Sequence, residues 1–249
     1  MIIANLATFP ARERNWHRVL TSIAHQVDRV NVIFNEASAV PEIVAEFPNV
    51  HGIVPTSDLK DTGKFFPEVS KDDWVFTIDD DIIYPPDYVR RSIAALNETK
   101  LGLAVGGYHG SIYQKPRYLK SRFLQGLIKG DGNYIVNRRR IFGFSFAQDA
   151  SIIVDQLGTG ATFMTGEAYP AFSKVAFGQR FIDVAAAKYW FDEGIPLVCL
   201  KRPENWIQAM SAEDSVESIN ETFTRKAPKA VADIIHQFAY KNARTGQAV

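Results

Sequence analysis

The chain has 249 residues, of which 46% are hydrophobic and 12% aromatic, so it is long and apolar enough to bury one sizeable core. Its 28 basic and 28 acidic residues cancel, and we therefore expect no nucleic-acid partner. The single cysteine, Cys199, excludes an intrachain disulfide and a paired-cysteine metal site, and its apolar neighbours predict a buried thiol on a strand.

The amino end has no basic start followed by a long apolar run, and no segment approaches the roughly 20 apolar residues that span a bilayer. We therefore expect a cytoplasmic protein. A peripheral contact of such a protein with the inner face of the membrane would be compatible with this expectation.

Strands alternate with helices from the amino end onwards. Residues 2–7, 30–34, 50–54 and 74–78 are rich in β-forming side chains and predict four strands. Apolar residues at helical spacing after Trp16, a proline at position 41 and the pair Pro85-Pro86 predict helices between and after these strands. This alternation predicts an α/β fold of the Rossmann-like, nucleotide-binding kind, with a mixed, mainly parallel central sheet flanked by helices.

The second part of the chain continues the pattern less regularly. We predict strands at 101–105, 161–164 and 195–200, a helix at 183–193, a last helix around residues 231–238 and a frayed tail after Asn242. The least regular segment, 108–148, contains eight basic residues and one acid between Lys115 and Arg140. These charges favour a mobile flap that meets phosphates, an anionic acceptor or a membrane surface, although a solvated basic loop would have the same composition.

The stretch VFTIDDDIIYPPDYV places Asp79, Asp80 and Asp81 at the end of a predicted buried strand. In extended backbone Asp79 and Asp81 should project together and Asp80 to the other side. Convergent carboxylates repel one another unless a cation is near, and oxygen ligands suit Mg²⁺ or Mn²⁺ bound together with phosphate oxygens. Because open α/β sheets bind ligands at the carboxyl ends of their strands, a metal-bound phosphate ester is indicated. The alternative is that one aspartate caps the following helix and the others are solvated.

TIDDDIIYPPDYV resembles the DxD segment of the GT-A glycosyltransferases, especially the family-2-like group. ATFPARERNWHRVLTSIAHQVDRVNVIFNEAS is similar to the first βαβ unit of that family, and DTGKF at 61–65 resembles its segment near the base or diphosphate. The resemblance covers residues 1–105 well and 157–205 more loosely. It implies one GT-A domain over residues 1–249, with a nucleotide-sugar-binding half at about 1–105 and an acceptor-binding half at about 106–249 that carries the basic flap.

The resemblance also implies roles for single residues, each with a plain structural alternative such as a turn, a strand end or a solvated cation. It implies that the donor nucleotide is bound by Thr8, Pro10, Glu36, Lys64, Asp79 and Asp80, and the cation by Asp81 and Asp79. The donor would be a nucleotide sugar, with a UDP-sugar favoured. The chain has no GxxxxGK[ST] segment, so Lys64 is not predicted to be a P-loop lysine.

LGTGATFMTG at 157–166 resembles the small-residue strand of the family beside the donor sugar and the acceptor, and there Gly160 is expected to bind the acceptor. Asp183 stands where the family carries the catalytic base of inverting members, although Ile182 replaces the glutamate usual before it. An equally good interpretation is that Asp183 caps the following helix. Trp206 is a candidate platform for a glycan or lipid-linked acceptor.

Other functions fit less of the sequence. A sugar nucleotidylyltransferase should carry a glycine-rich phosphate loop after the first strand, and Ala7-Thr8-Phe9-Pro10 is not one. A phosphotransferase with an aspartate nucleophile would need a hydroxyl partner where Ile82 and Ile83 stand. A carbohydrate-binding or membrane-surface module would leave the aspartates without a role.

Overall fold

The computed structural model of the chain describes residues 1–114, 139–210 and 229–249. The helices are α1 (Glu13–Ile23), α2 (Tyr88–Glu98), α3 (Phe172–Val175), α4 (Ile182–Asp192) and α5 (Lys229–Phe238). Shorter 3₁₀ turns span Pro10–Arg12, Ala24–Gln26, Glu42–Glu46, Lys60–Phe65 and Ala176–Gly178. No helix in these three ranges is long and apolar enough to cross a membrane.

The strands fall into three sheets. They are β1 (Ile2–Thr8), β2 (Arg29–Phe34), β3 (Val50–Ile53), β4 (Trp74–Ile78), β5 (Ile82–Ile83), β6 (Val105–Gly107), β7 (Gly110–Tyr113), β8 (Arg139–Phe142), β9 (Ile152–Val154), β10 (Gln156–Leu157), β11 (Ala161–Thr165), β12 (Leu197–Cys199) and β13 (Gln208–Ala209). The central sheet has eight strands in the order β3-β2-β1-β4-β11-β6-β12-β9. Two small sheets, β10-β7-β8 and β13-β5, lie beside it.

The central sheet is parallel where the sequence alternates strand and helix. β1 pairs in parallel with β2 and β4, β2 with β3, and β6 with β12, whereas β11 runs antiparallel between β4 and β6. α1 connects β1 to β2, whereas the parallel pair β2 and β3 is joined through the 3₁₀ turn Glu42–Glu46. The predicted α/β class with a mixed, mainly parallel sheet is confirmed.

Helices cover both faces of this sheet. Phe76 and Ile78 of β4 pack with Trp16 of α1 on one face, whereas Val75 packs with Trp190 of α4 on the other. Neighbouring strand residues point to opposite faces, so one strand supplies both cores. Cys199 is buried on β12, as predicted.

Three predicted elements differ from the structure. Residues 101–104 form a turn and not a strand, because Lys100 and Gly102 take positive φ (55° and 71°) after α2, so β6 begins only at Val105. Pro85 and Pro86 precede α2, which begins at Tyr88, and the residues after Pro41 form a 3₁₀ turn.

The carboxyl-terminal tail is also not frayed as predicted. Residues 246–249 run along β9, where the backbone N–H groups of Gly246 and Val249 donate to the carbonyls of Ile153 and Ser151 at 2.7 and 2.9 Å. The tail thereby pairs with the outer edge of the central sheet.

The two ends of the predicted flap form a β-hairpin, in which β7 and β8 pair antiparallel from Gly110–Phe142 to Tyr113–Arg139. The basic residues from Lys115 to Arg138 lie outside the described residues. A flap that meets an anionic acceptor or a membrane therefore stays a prediction.

Candidate active site

The three aspartates lie where β4 ends, between β1 and β11, and they contact different partners. Asp80 is buried and accepts a hydrogen bond from the Thr8 hydroxyl at 2.7 Å, whereas Asp79 pairs with Lys64. Asp81 is less buried and has the Arg12 guanidinium 3.5 Å away. Asp79 and Asp80 thus face opposite neighbours. Asp81, in the turn after β4, approaches the same guanidinium as Asp80, so these contacts do not group it with Asp79 as predicted.

Arg12 binds the triplet from the β1 side. It lies in the 3₁₀ turn after β1, is buried, and pairs with Asp80 as well as approaching Asp81. Burial raises the pKa of Asp80, and the Arg12 charge and the Thr8 hydroxyl oppose that shift. Sequence analysis did not assign Arg12 a role, because a cation in a short turn has no apolar periodicity that would indicate burial.

Lys64 binds the triplet from the other side. Burial lowers the pKa of Lys64, but the Asp79 carboxylate outweighs this effect and raises the pKa above its ordinary value. Arg12 and Lys64 supply two positive charges against three carboxylates. Among these described residues the carboxylates therefore exceed the cations by one charge.

The excess of negative charge affects the pKa of Asp81. Burial, followed by the charges of Asp79 and Asp80, raises the pKa of Asp81 to about 6. A divalent cation near Asp81 would remove this repulsion, so the residues fit the predicted Mg²⁺ or Mn²⁺. Within the described ranges no group of three or more histidine, cysteine, aspartate or glutamate side chains is arranged to hold a metal ion by itself. A cation here would therefore need further oxygen ligands from a phosphate or water.

Asp79 is held between Lys64 and the turn before β11. A Cβ atom added at Gly160 would lie 1.9 Å from the Asp79 Oδ2 atom, so any larger residue there would have to displace the Asp79 carboxylate. The Tyr84 hydroxyl joins the same two residues, because it accepts the Asp79 backbone N–H at 2.9 Å and donates to the Gly160 carbonyl. Gly160, predicted at the acceptor side, thus lies directly against the aspartates.

Asp183 lies on the first turn of α4 and points to the same turn. Its Oδ1 atom accepts the backbone N–H of Thr159 at 2.8 Å and the Thr159 hydroxyl at 2.7 Å. Thr159 is next to Gly160 in the chain, so the predicted base and the aspartate triplet meet around residues 159–160. Asp183 is therefore oriented by its hydrogen bonds to Thr159 and not by a bond to its own helix.

His109 lies behind the same turn. It packs on Gly158, where an added Cβ would be 3.3 Å from the His109 Cβ atom. Burial lowers the pKa of His109, and the charges of Asp183 and Asp79 partly offset this shift. The imidazole is therefore neutral at pH 7.

A cleft of about 280 Å³ opens at the carboxyl ends of β1 and β2. It is lined by Pro10, Glu13, Trp16, Phe34, Glu36, Ala37, Ser38, Ala39 and Pro41. Its charged lining residues are Glu13 and Glu36, so the cleft favours neutral groups with N–H and O–H donors over phosphates. Pro10 and Glu36 line this cleft, whereas Thr8 is buried beside Asp80; a nucleoside-binding role for the three residues stays a prediction.

Trp206 lies away from the cleft, over α2. Its indole N–H donates to Asp87 at 3.0 Å, its ring is 5.1 Å from that of Tyr108, and the Arg91 guanidinium lies 4.6 Å from its centre. These contacts fix the ring against the protein, and its role as an acceptor platform stays a prediction.

Comparison with known proteins identifies the fold and not a family. No protein-family model and no curated protein matches the chain. A crystal structure of S. aureus TarS residues 1–349 in complex with UDP-GlcNAc aligns with a TM-score of 0.51 at 13% identity, covering 89% of this chain and 61% of TarS 1–349. A second S. aureus TarS structure aligns with a TM-score of 0.50 at 13% identity and covers 86% of this chain and 37% of the other.

The chain therefore spans less than two thirds of the length of these structures. At this identity the likeness shows a shared fold alone, and it agrees with the predicted GT-A class.

Proposed function

We propose that the chain is a glycosyltransferase that takes a sugar from a nucleotide-sugar donor, with a UDP-sugar favoured, and transfers it to an acceptor hydroxyl. The observation that carries this proposal is the convergence of three features at one sheet edge: an acidic cleft, an aspartate triplet paired with Arg12 and Lys64, and the Asp183 carboxylate. The complex of the structural neighbour TarS with UDP-GlcNAc supports the donor class.

The cleft suits the nucleoside part of the donor. Its charged residues are acidic and would repel phosphate, whereas Glu13 and Glu36 can accept hydrogen bonds from ribose hydroxyls or a base N–H. Lys64 and Arg12 are buried and paired with Asp79 and Asp80, so a cation bound beside Asp81 would supply the positive charge that a diphosphate needs. The donor would thus lie along the carboxyl ends of β1, β2 and β4.

Asp81, with Asp79, would hold Mg²⁺ or Mn²⁺ together with oxygens of the diphosphate. Such a cation stabilises the negative charge that develops on the leaving nucleoside diphosphate. The protein residues bind and orient the donor, and Lys64 adds positive charge on the same side.

Asp183 would act as the base in a single, inverting displacement. Its carboxylate accepts the proton of the acceptor hydroxyl while the acceptor oxygen forms a bond to the anomeric carbon, and the bond from that carbon to the diphosphate oxygen breaks. Thr159 keeps Oδ1 of Asp183 engaged through two hydrogen bonds. A glycan or lipid-linked acceptor approaching Gly160 from this side would meet the carboxylate.

Thermal stabilisation by nucleotides tests the donor site. We expect one nucleotide among UDP, GDP, CMP and TDP, UDP being favoured, to raise the melting temperature in the presence of Mn²⁺ and much less without it. Asp81→Ala should lose the manganese-dependent shift. The matched control Asp72→Ala removes an exposed carboxylate near the start of the same strand and should keep it.

The donor site and the catalytic role of Asp183 are tested by separate outcomes. No shift with any nucleotide and Mn²⁺ would refute the donor site. Asp183→Asn should bind UDP with Mn²⁺ normally but release no UDP from UDP-sugar in the presence of an acceptor, and loss of binding in this variant would show that Asp183 has a structural role.

A further inference from the structure

The Lys60–Phe65 turn contacts both sides of the candidate site. Lys64, near its end, pairs with Asp79 of the aspartate triplet. Asp61, near its start, reaches across to the residues that begin α4, the helix that carries Asp183. Asp61 and Lys64, three positions apart in one turn, thus connect the part of the site expected to bind the diphosphate with the part that carries the expected base.

Asp61 contacts the start of α4 through backbone hydrogen bonds. Its Oδ1 atom accepts the N–H of Arg180 at 2.6 Å, and its Oδ2 atom accepts the N–H of Ile182 at 3.3 Å. The residue before α4 is Phe181, whose hydrocarbon side chain cannot accept a bond from the helix. Arg180 has φ of 69°, an unfavourable conformation for a non-glycine residue that external contacts must hold. Asp61 therefore supplies, from 121 residues away in the chain, an acceptor for the first N–H of α4, one of the amides that have no partner within the helix.

The position of α4 decides where Asp183 points. Asp183 is the second residue of α4, directly after Ile182, and bonds Thr159. The Gln179 side chain adds a bond to the Asp58 carbonyl at 3.0 Å, so residues 179–182 dock on residues 58–61 at more than one point. Loss of Asp61 would release this segment and let Asp183 leave Thr159.

We infer that Asp61 is a positioning residue of the transferase: it caps α4 from the Lys60–Phe65 turn and thereby fixes Asp183 relative to the donor held at Lys64. The inference rests on the proposed function. It does not assign Asp61 any contact with substrate.

The test compares three variants. Asp61→Ala removes both acceptors, and Asp61→Asn keeps one oxygen, which can still accept the Arg180 N–H. Asp58→Ala is the matched control, because its carboxylate binds Lys60 in the same turn and its contact with Gln179 uses only the backbone.

Amide hydrogen exchange of the free protein tests the cap directly. We expect the first-turn amides of α4, residues 182–185, to exchange about tenfold faster or more in Asp61→Ala and unchanged in Asp58→Ala. Unchanged exchange in Asp61→Ala overturns the inference whether or not the protein binds nucleotides.

Kinetics with UDP-GlcNAc as the probe separate positioning from simple loss of structure. For Asp61→Ala we expect UDP release to fall about tenfold or more in kcat, while the Kd for UDP with Mn²⁺ stays within about twofold, because a misplaced base slows chemistry and spares binding. Asp61→Asn should recover most of kcat. The inference is contradicted if Asp61→Ala loses UDP affinity in parallel with kcat, or if its kcat equals that of the wild type. If the wild-type protein itself binds no nucleotide, the proposed function is contradicted instead.

Discussion

At the scale of single residues, the close approach of Gly160 to Asp79 gives the sharpest test of the site. Gly160→Ala should push the Asp79 carboxylate away from Lys64, because the new Cβ would lie 1.9 Å from Oδ2. We expect UDP with Mn²⁺ to bind about tenfold more weakly, equivalent to about 1.4 kcal/mol, as measured by calorimetry.

Gly143→Ala is the matched control for Gly160→Ala. The nearest atom to its added Cβ, at 2.9 Å, belongs to the exposed and movable Phe146 side chain. Its UDP affinity should equal that of the wild type. Equal affinity in Gly160→Ala as well would show that Asp79 takes no part in donor binding.

The titration of Asp61 makes a second residue-scale prediction. Burial, partly offset by its bonds to Arg180 and Ile182 and by Lys64, raises the pKa of Asp61 from 3.8 to about 6, and the charge of Asp183 adds to the shift. An acid whose pKa is raised by folding favours the folded state below its unfolded pKa and loses that contribution as the pH rises through its folded pKa.

The wild type should therefore lose stability between about pH 4 and pH 6 relative to Asp61→Asn, whose amide does not titrate. The difference in free energy of unfolding should change by up to about 3 kcal/mol across that range, since each pKa unit is worth about 1.4 kcal/mol. Urea unfolding of both proteins at pH 4 and pH 7.5 measures it. Parallel pH profiles would mean that Asp61 titrates normally.

The sequence alone predicted that the aspartates lie at the end of a strand in a mainly parallel sheet, but it did not reveal most of the residues that contact them. Lys64 was predicted near the diphosphate, whereas Arg12, Tyr84, Asp61 and Thr159 received no predicted role. These contacts join residues distant in the chain, such as Tyr84 with Gly160, 76 positions later. No periodicity marks such a pair, because the fold alone brings its members together.

At the scale of elements, a buried polar chain supports the Lys60–Phe65 turn. Asn31 on β2 donates to Asn5 on β1 at 2.9 Å, Asn5 donates to the Tyr169 hydroxyl at 3.1 Å, and Tyr169 donates to the Lys64 carbonyl at 2.9 Å. The two asparagines lie on neighbouring strands in register. The sheet is thus connected to the backbone of the residue that pairs with Asp79.

Tyr169→Phe should break this chain in its middle. It leaves the Asn5 amide and the Lys64 carbonyl without their partner in a buried setting, which costs about 1–3 kcal/mol in free energy of unfolding. Urea unfolding is the measurement. Tyr189→Phe on the less buried side of α4 should change stability by less than about 0.5 kcal/mol, and equal effects of the two substitutions would contradict the role of the polar chain.

Elements with long apolar patterns were predicted well, and short ones were not. β1, β2, β3, β4 and β11 match the predicted strands closely. β6 and β7 were missed or displaced because Gly106, Gly107 and Gly110 carry no side chain that could show alternation. These glycines are required by packing, since a Cβ at Gly106 would lie 2.6 Å from the Phe163 ring.

At the scale of the whole molecule, the carboxyl-terminal tail closes the edge of the central sheet. Residues 246–249 pair with β9, the last strand in the sheet order, and the Thr245 hydroxyl donates to Asp155 at 2.9 Å. Sequence analysis predicted a frayed tail because Thr-Gly-Gln-Ala-Val has neither strand alternation nor a hydrophobic run. Backbone hydrogen bonds, which any sequence can make, determine its position instead.

Removal of residues 245–249 should therefore destabilise the half of the sheet that lies far from the cleft proposed to bind the nucleoside. Three backbone bonds, namely those of Gly246, Val249 and the Ile153 N–H to the Gln247 carbonyl, and one side-chain bond are lost. At about 1 kcal/mol each, the free energy of unfolding should fall by about 2–4 kcal/mol. UDP binding with Mn²⁺ should persist below the lowered melting temperature, because β1, β2 and β4 lie on the other side of β11. Unchanged stability would show that the tail leaves the sheet in solution, and lost UDP binding in a folded truncated protein would show that the sheet edge and the donor site are coupled.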